Sequence, residues 1–230
     1  MSEPVDLCAL LIIKAHSARV PGKNFRVLGD RPLFRWIVDL LLGMPEIDRV
    51  VIDTDARREL GALGLVESPR LHLRDRRPEL RGDHVTANTL LADLLPAVPA
   101  RVYLMTHVTN PFLTAATIRA ALARFREAIA RGEADALLSV NEHRARFFHA
   151  NGDPLNHDPA ALRPTQDLAP IYEENSNLYL FTAESFAKSG TRNGSRPLLF
   201  PTPKHESLDI DDLDDWQLAE RIARGLGPDR

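Results

Sequence analysis

A cationic loop directly follows the first apolar run of the chain. Leu and Ile dominate residues 7–13, and the polar turn after them predicts a buried strand that ends in a loop. In open α/β sheets, ligands bind at the carboxyl ends of the strands. The loop offers four cations together with hydroxyl and amide donors: Lys14, Ser17, Arg19, Lys23, Asn24 and Arg26. These groups favour a polyphosphate site, and a solvated basic loop is the alternative.

Two aspartates, Asp209 and Asp211, stand just before a predicted helix over residues 213–224. Residues two apart in an extended backbone project to the same side, so the two carboxylates can share one cation. Mg²⁺ in proteins takes one or two carboxylates together with phosphate oxygens and water. Capping of the following helix by Asp211 or Asp212 is the alternative.

Strands and helices alternate along the chain, and this alternation would position both the cationic loop and the Asp209/Asp211 pair. Apolar runs predict strands over residues 7–13, 49–53, 70–74, 102–106 and 134–140. Amphipathic patterns and capping residues predict helices over 32–42, 56–63 and 213–224, and helices that begin near Thr86 and after Thr114. This alternation predicts a three-layer α/β fold with a mostly parallel sheet.

Composition limits the classes of function. The chain has 230 residues, 44% of them hydrophobic, and a net charge of -3. No extended basic face is apparent, so no nucleic-acid partner is expected. The single cysteine, Cys8, lies in the first apolar run and predicts no disulfide within the chain. With no secretory signal and no apolar run near the ~20 residues of a membrane span, we expect a cytoplasmic protein without a membrane partner.

The cationic loop matches neither of two common phosphate-binding motifs. The sequence lacks Gly-x4-Gly-Lys-Ser/Thr and Gly-x-Gly-x-x-Gly, which argues against a P-loop kinase or an NAD enzyme. The segment Ser17-Ala-Arg-Val-Pro-Gly-Lys-Asn24 resembles the opening motif of the sugar-acid cytidylyltransferases. This family includes the CMP-sialic acid synthetases and related CMP-sugar-acid and CMP-phosphonate synthetases. The resemblance extends to about residue 218, where Asp209-Ile-Asp211 resembles the family's closing motif and favours the Mg²⁺ interpretation.

The resemblance also implies which residues bind CTP. Residues 77–83 are similar to a nucleotide-facing Arg-Pro-Glu/Ala-Leu-x-x-Asp segment of the family, although a solvated loop is the alternative. Arg77 would then contact phosphate, and the following turn would meet the cytosine ring, where a glycine permits close approach. The implied CTP-binding set is Lys14, Ser17, Arg19, Lys23, Asn24, Arg77, Arg81, Gly82 and Asp83. Its catalytic members would be Lys14, Arg19 and Lys23.

Three other segments are expected to bind the acceptor. The strand over 102–106 leads into a segment that resembles the family's Thr-Ser-Pro-Leu motif, and a Gln usually stands at the position of His107 in the sialate enzymes. A purely structural role for His107 is the alternative. The remaining segments resemble the Arg/Lys-x-x-Gln-Asp and Asn-Gly-Ala-Ile-Tyr portions of the family. The implied acceptor-binding residues are His107, Thr109, Asn110, Arg163, Gln166 and Asn175.

The region over residues 141–175 lacks a regular pattern. The Asn151-Gly152 turn within it favours a β-hairpin. In the family this region is a dimerisation element that reaches the acceptor site of the neighbouring subunit. The resemblance therefore implies a single Rossmann-like nucleotidyltransferase domain over residues 1–230, with an inserted hairpin element and a homodimeric assembly.

The expected function is CTP-dependent transfer of CMP to a small anionic acceptor, with release of pyrophosphate. The resemblance implies a nonulosonic, sialic-acid-like sugar as acceptor. A small phosphonate such as phosphonoformate is the alternative, since some relatives activate phosphonates and His107 departs from the sialate pattern. A nucleotide-binding module without turnover is a hypothesis of another class. Lys23 and the Asp209/Asp211 pair count against it, because a sensor needs no metal-assisted leaving group.

Overall fold

A computed structural model describes residues 3–82 and 84–226. Its strands are β1 (Val5–Ile13), β2 (Val27–Leu28), β3 (Arg31–Pro32), β4 (Arg49–Thr54), β5 (Leu71–Asp75), β6 (Ala100–Thr106), β7 (Ala136–His143), β8 (Ile171–Phe181) and β9 (Pro197–Pro201). Its α-helices are α1 (Leu33–Gly43), α2 (Arg57–Ala62), α3 (Ala87–Leu94), α4 (Ala115–Ala130), α5 (Ala183–Ser189) and α6 (Leu213–Gly225). None of these helices has the length and apolarity needed to cross a bilayer.

Seven strands form one sheet in the order β5-β4-β1-β6-β8-β7-β9, and β2 pairs with β3 in a separate ribbon. Within the large sheet, β8 runs antiparallel to β6 and β7, whereas all other neighbours are parallel. The predicted α/β fold with a mostly parallel sheet is confirmed. Because β1 lies inside the sheet, between β4 and β6, the loop after it opens at the carboxyl edge next to the end of β6.

Helices cover both faces of the sheet. Successive strand residues point to opposite faces, so β1 contributes to two cores. Leu11 lies in a cluster with α1 and α4 residues such as Ile37 and Phe125. Leu10 lies in the other cluster with Leu94 of α3. All of these side chains are buried, which gives the three layers that the sequence predicts.

Side-chain caps are present at α3, α4 and α6, whereas α2 begins after Ala56 without one. The Thr86 and Thr114 hydroxyls accept hydrogen bonds from the third backbone N–H of α3 and α4 respectively. At α6 the cap is Asp212, whose carboxylate accepts from the N–H groups of Asp214 and Asp215. Asp211 is therefore not needed as a cap.

The predicted irregular region, residues 141–175, begins in β7 and ends in β8, and these two strands pair with each other. Val140 to His143 of β7 pair with Glu174 to Ile171 of β8. Between them, the Asn151-Gly152 turn closes through one antiparallel bridge, between Phe148 and Pro154, so the predicted hairpin is very short. A dimerisation role for residues 141–175 stays a prediction.

A wide bulge interrupts β8. Leu138 pairs with Tyr179 and Val140 with Glu174, so β8 advances five residues while β7 advances two. Ser176 lies in the bulge with φ of 56°, a left-handed conformation that is rare for a non-glycine residue. Bulges of this kind commonly redirect side chains beside a functional site.

Candidate active site

A pocket of about 540 Å³ opens at the carboxyl ends of β1 and β6. Its walls come from residues 14–24, from 85–90 and from 107–109. The structure thus brings the predicted cationic loop next to His107 and Thr109. We call residues 14–24 together with Asp209 and Asp211 the loop end of the pocket, and His107 with the side chains behind it the histidine end.

Lys23 is the buried cation of the loop end. It follows Gly22, whose φ of 66° turns the chain into a short 3₁₀ helix, and its side chain is 9% exposed. The Nζ atom donates to the carbonyl of Ile210 and lies 3.8 Å from Oδ1 of Asp211. Burial lowers the pKa of Lys23, and the Asp211 charge opposes that shift. The ammonium group is therefore held in place before any anion binds.

Arg19 and Lys14 are held more loosely. A terminal nitrogen of Arg19 lies 2.6 Å from Oδ1 of Asp211, and both side chains are well exposed. Exposed ion pairs contribute only about 0–1 kcal/mol, so Arg19 is free to exchange this carboxylate for another anion. Lys14 donates to the Gly82 carbonyl at 3.3 Å and so connects the loop with the segment before α3.

Asn24 and Ser17 have different surroundings. Asn24 is buried, and its amide donates to the Lys14 carbonyl at 3.0 Å, so it stabilises the loop backbone. Ser17 lines the pocket.

Asp209 carries an unsatisfied oxygen. Its Oδ1 atom is buried and has no hydrogen-bond partner in the structure. Burial raises the pKa of Asp209, and a hydrogen bond with Thr109 opposes the shift. The backbone N–H of Ile210 donates to the Thr109 carbonyl at 2.9 Å, which fixes the Asp209-Ile210-Asp211 segment beside β6.

The two carboxylates fit a divalent cation that has further ligands of its own. A buried orphan oxygen and a half-exposed carboxylate are hard donors of the kind Mg²⁺ prefers. In the described part of the chain, no group of three or more His, Cys, Asp or Glu side chains could hold a metal. A cation at Asp209 and Asp211 would therefore complete its shell with phosphate oxygens and water.

The predicted cytidine segment makes mostly internal contacts. Arg77 pairs with Asp93 of α3 at 3.0 Å and is 60% exposed. Arg81 donates twice to the Arg76 carbonyl, at 3.1 and 3.0 Å. The Gly82 carbonyl accepts from Lys14, and Asp83 lies outside the described residues.

The buried arginine of this region is Arg76. Its side chain is fully buried, and its Nε donates to Oδ1 of Asp53 at 2.6 Å. Asp53 also pairs with Arg74. Arg74 and Arg76 therefore stabilise the sheet between β4 and β5 through Asp53.

Four predicted acceptor residues do not reach this pocket. Asn110 is buried and donates to the Leu208 carbonyl at 3.3 Å. Asn175, in the β8 bulge, donates to Asn141 and Thr202. Arg163 and Gln166 are exposed, and Arg163 lines a separate cavity of about 290 Å³.

The histidine end includes residues that the sequence analysis does not identify. Arg192 lies behind the ring of His107, with its NH1 atom 3.4 Å from Nε2. Its NH2 atom donates to the Tyr179 hydroxyl at 2.8 Å. Burial, with the Arg192 and Lys23 cations, lowers the pKa of His107 to about 3, so the ring is neutral at pH 7. Arg192 stands alone in a turn after α5, so no motif in the sequence marks it as a site residue. The fold brings it next to His107, at the end of β6.

Comparisons with known proteins agree with this geometry. Residues 10–199 match a family model described as cytidylyltransferase. N-acylneuraminate cytidylyltransferase A of Danio rerio is 25% identical over 96% of this chain, and this chain spans about half of that protein, 51%. CMP-N,N'-diacetyllegionaminic acid synthase of Legionella pneumophila is 24% identical, with 94% of this chain and 95% of that protein aligned.

Solved structures share the fold. A CMP:2-keto-3-deoxy-manno-octonic acid synthetase in complex with CTP superposes with a TM-score of 0.64 at 15% identity, covering 96% of this chain and 100% of that chain. The 4-diphosphocytidyl-2C-methyl-D-erythritol synthase from Anaerococcus prevotii gives 0.65 at 11% identity, covering 96% and 99%. The family match spans most of the chain and includes the whole cationic loop and β6. The chain therefore belongs to the cytidylyltransferase family.

Proposed function

We propose that the protein transfers CMP from CTP to a small anionic acceptor and releases pyrophosphate. The observation that carries the proposal is the loop end of the pocket, where buried Lys23, which lies within the region of the family match, meets the Asp209/Asp211 pair, which follows that region. A fixed cation beside two carboxylates suits a polyphosphate with its counterion. Catalysis of this transfer is mainly a matter of alignment and charge neutralisation.

In the proposed reaction, an acceptor oxygen attacks the α-phosphorus of CTP, and an acceptor hydroxyl gives up its proton to water. The bond from that phosphorus to the bridging oxygen breaks, and pyrophosphate leaves with the electron pair. Lys23 would neutralise the charge that develops on the pyrophosphate, while Lys14 and Arg19 hold the triphosphate. Ser17 and the backbone that Asn24 fixes would add hydrogen bonds, because both lie in the same loop.

Asp209 and Asp211 would hold Mg²⁺. When bound, this ion supplies further neutralisation of the phosphate charge. The two carboxylates would also set where the triphosphate lies relative to Lys23, since Asp211 is 3.8 Å from its Nζ. Arg19 would leave Asp211 for a phosphate oxygen when CTP binds.

Residues 77–83 would bind CTP, with Arg77 at a phosphate and the turn of Arg81 and Gly82 at the cytosine ring. The Gly82 carbonyl already contacts Lys14, so the turn of Arg81 and Gly82 is close enough to the loop to meet the cytosine ring. Arg77 would have to exchange Asp93 for a phosphate oxygen.

We propose a nonulosonic sugar acid as acceptor, at His107 and Thr109. The names of the relatives in Danio rerio and Legionella pneumophila, which refer to acylneuraminate and diacetyllegionaminic acid, support this class. Arg163 and Gln166 would complete the site from the second subunit of a homodimer, because both are exposed on residues 144–170. Asn110 and Asn175 would act indirectly, through the backbone segments that they anchor.

The test is pyrophosphate release from CTP and Mg²⁺ with a panel of nonulosonic acids and small phosphonates, with each product identified by mass. The proposal expects stoichiometric pyrophosphate and CMP-acceptor with at least one sugar acid. A phosphonate product would keep the transfer and replace the acceptor class. Tight CTP binding without release for any acceptor would contradict the proposal and favour a nucleotide-binding module.

A further inference from the structure

The side chain of Arg192 is fixed from several directions. It is only 15% exposed, and its guanidinium carbon lies 3.8 Å from the centroid of the Tyr179 ring. NH2 donates to the Tyr179 hydroxyl at 2.8 Å, and the guanidinium is 3.7 Å from Glu174. The backbone N–H of Arg192 donates to Asn88 of α3 at 3.2 Å. An arginine held in this way loses little freedom when NH1 takes a further partner.

The β8 bulge builds the support for this arginine. Tyr179 and Glu174 lie on opposite sides of the bulge, and the Tyr179 hydroxyl donates to the Glu174 carboxylate. Burial raises the pKa of Tyr179 to about 12, so the phenol remains a donor at neutral pH. Asn193 donates to the other Glu174 oxygen at 3.3 Å. Glu174, Tyr179 and Arg192 therefore form a continuous hydrogen-bonded chain that ends at His107.

This chain decides which nitrogen of His107 carries the proton. A guanidinium group can only donate, so Nε2, which faces Arg192 at 3.4 Å, must accept. The ring is neutral, and its proton is then on Nδ1. Nδ1 has no hydrogen-bond partner among residues 3–82 and 84–226, and the His107 ring lines the pocket.

We propose that Arg192 is a positioning residue that determines acceptor specificity, because it fixes His107 as an Nδ1–H donor toward an oxyanion of the acceptor. The inference rests on the proposed function for the identity of the pocket. A cation directly behind the ring strengthens this donor and attracts negative charge. The matching ligand group is a compact oxyanion, which a sugar acid offers as a carboxylate and a phosphonate offers as its phosphoryl oxygens.

The first experiment needs no turnover. In the ligand-free protein, ¹⁵N chemical shifts of His107 should report mainly the Nδ1–H tautomer. Arg192→Met should move the population toward Nε2–H, and Tyr179→Phe should do so in part, because it removes the hydroxyl but keeps the ring. Arg196→Met is the matched control, since Arg196 is exposed and its side chain donates to the Gly132 carbonyl at 3.0 Å, away from His107. An Nε2–H tautomer in the wild type would overturn the proposal.

The second experiment is kinetic, with the acceptor and CTP varied separately. One charge-assisted hydrogen bond is worth on the order of 10- to 100-fold in affinity, so Arg192→Met should raise KM for the acceptor by about that factor. KM for CTP should stay unchanged, and Arg192→Lys should recover part of the loss. Unchanged acceptor KM in Arg192→Met would contradict the proposal.

Kinetics with sugar acids and with phosphonates as acceptors identify which class of compound supplies the oxyanion. Arg192→Met should raise KM more for the preferred acceptor than for its neutral amide or ester analogue. Equal rises in KM would contradict the assignment. If the wild type makes no product with any acceptor, the proposed function fails, whereas the tautomer measurement still tests Arg192 by itself.

Discussion

At the loop end of the pocket, Lys23 and Arg19 come from one short stretch of chain and meet Asp211, whereas at the histidine end Tyr179 and Arg192 come from different elements. The loop end combines one buried cation with an exposed, exchangeable one. The histidine end is a buried network around a neutral ring. Under the proposed function, this difference would let the loop end receive a highly charged, mobile triphosphate and the histidine end select one smaller group.

The largest effect is expected from Lys23→Met at the loop end. A preorganised charge of this kind commonly contributes on the order of 10²- to 10³-fold to turnover, so kcat should fall by about that factor. Pyrophosphate release with saturating CTP and acceptor measures the loss. Lys204→Met, which removes an exposed lysine from the segment before Asp209, should leave kcat unchanged. A Lys23→Met enzyme with normal turnover would remove the basis for the loop-end assignment.

Asp209→Asn should separate activity from stability. Burial raises the pKa of Asp209, so its ionised form disfavours the folded state at neutral pH, and this penalty is lost as pH falls through the raised pKa. Asparagine cannot ionise, so Tm at pH 7 should not decrease. Mg²⁺-dependent turnover should fall on the order of 10²-fold.

Thermal unfolding and Mg²⁺ titration of activity check both halves of this prediction. Asp214→Asn is the control, because Asp214 is exposed in the first turn of α6, the helix that follows Asp209. A large drop in Tm for Asp209→Asn with an unaltered Mg²⁺ requirement would mean that Asp209 is structural.

His107 substitutions address the histidine end. His107→Phe removes the donor and should lower kcat/KM for the acceptor by about 10- to 100-fold. His107→Gln should retain most activity, because the amide can accept from Arg192 and donate toward the pocket. With a pKa of about 3, His107 stays neutral, so its titration should add no inflection to kcat/KM between pH 5 and 8. Equal decreases in kcat/KM for His107→Phe and His107→Gln would show that the shape of the ring matters more than its hydrogen bonds.

Arg19→Met should give the smallest effect. Arg19 is 65% exposed and paired at the surface, so the free energy of unfolding should change by less than about 1 kcal/mol. KM for CTP should rise roughly tenfold at low salt and less at high salt, where exposed charges are screened. Arg58→Met, at an exposed position on α2, serves as the control for loss of an arginine. A salt-independent change in KM would contradict this interpretation.

The two parts of the loop end were each predictable because their determinants are local, whereas their contact through Arg19, Lys23 and Asp211 depends on the fold. Ser17 through Asn24 form one motif behind one apolar strand, and the Asp209/Asp211 spacing already indicates a shared ligand. Thr86 and Thr114 likewise cap helices through contacts with their own next turn.

The histidine end was only partly predictable because its contacts depend on tertiary structure. The bulge at Ser176 that joins Tyr179 to Glu174 depends on strand pairing, and the position of Arg192 depends on where α5 packs. The polar side chain of Asn175 is suited to contact a ligand. In the β8 bulge, its amide instead donates a hydrogen bond to the Thr202 hydroxyl. A polar residue inside a strand can contact a ligand or form hydrogen bonds within the protein, and the sequence alone does not distinguish these two roles.

If the two ends of the pocket act on different substrates, a double-variant cycle will separate their contributions. Kinetics with both substrates varied would be measured for Arg19→Met, His107→Phe and the combined variant. We expect Arg19→Met to change only KM for CTP and His107→Phe to change only the acceptor parameters, with additive free energies in the combined variant. Changes in the same substrate's parameters, or strong non-additivity, would contradict the division of the pocket.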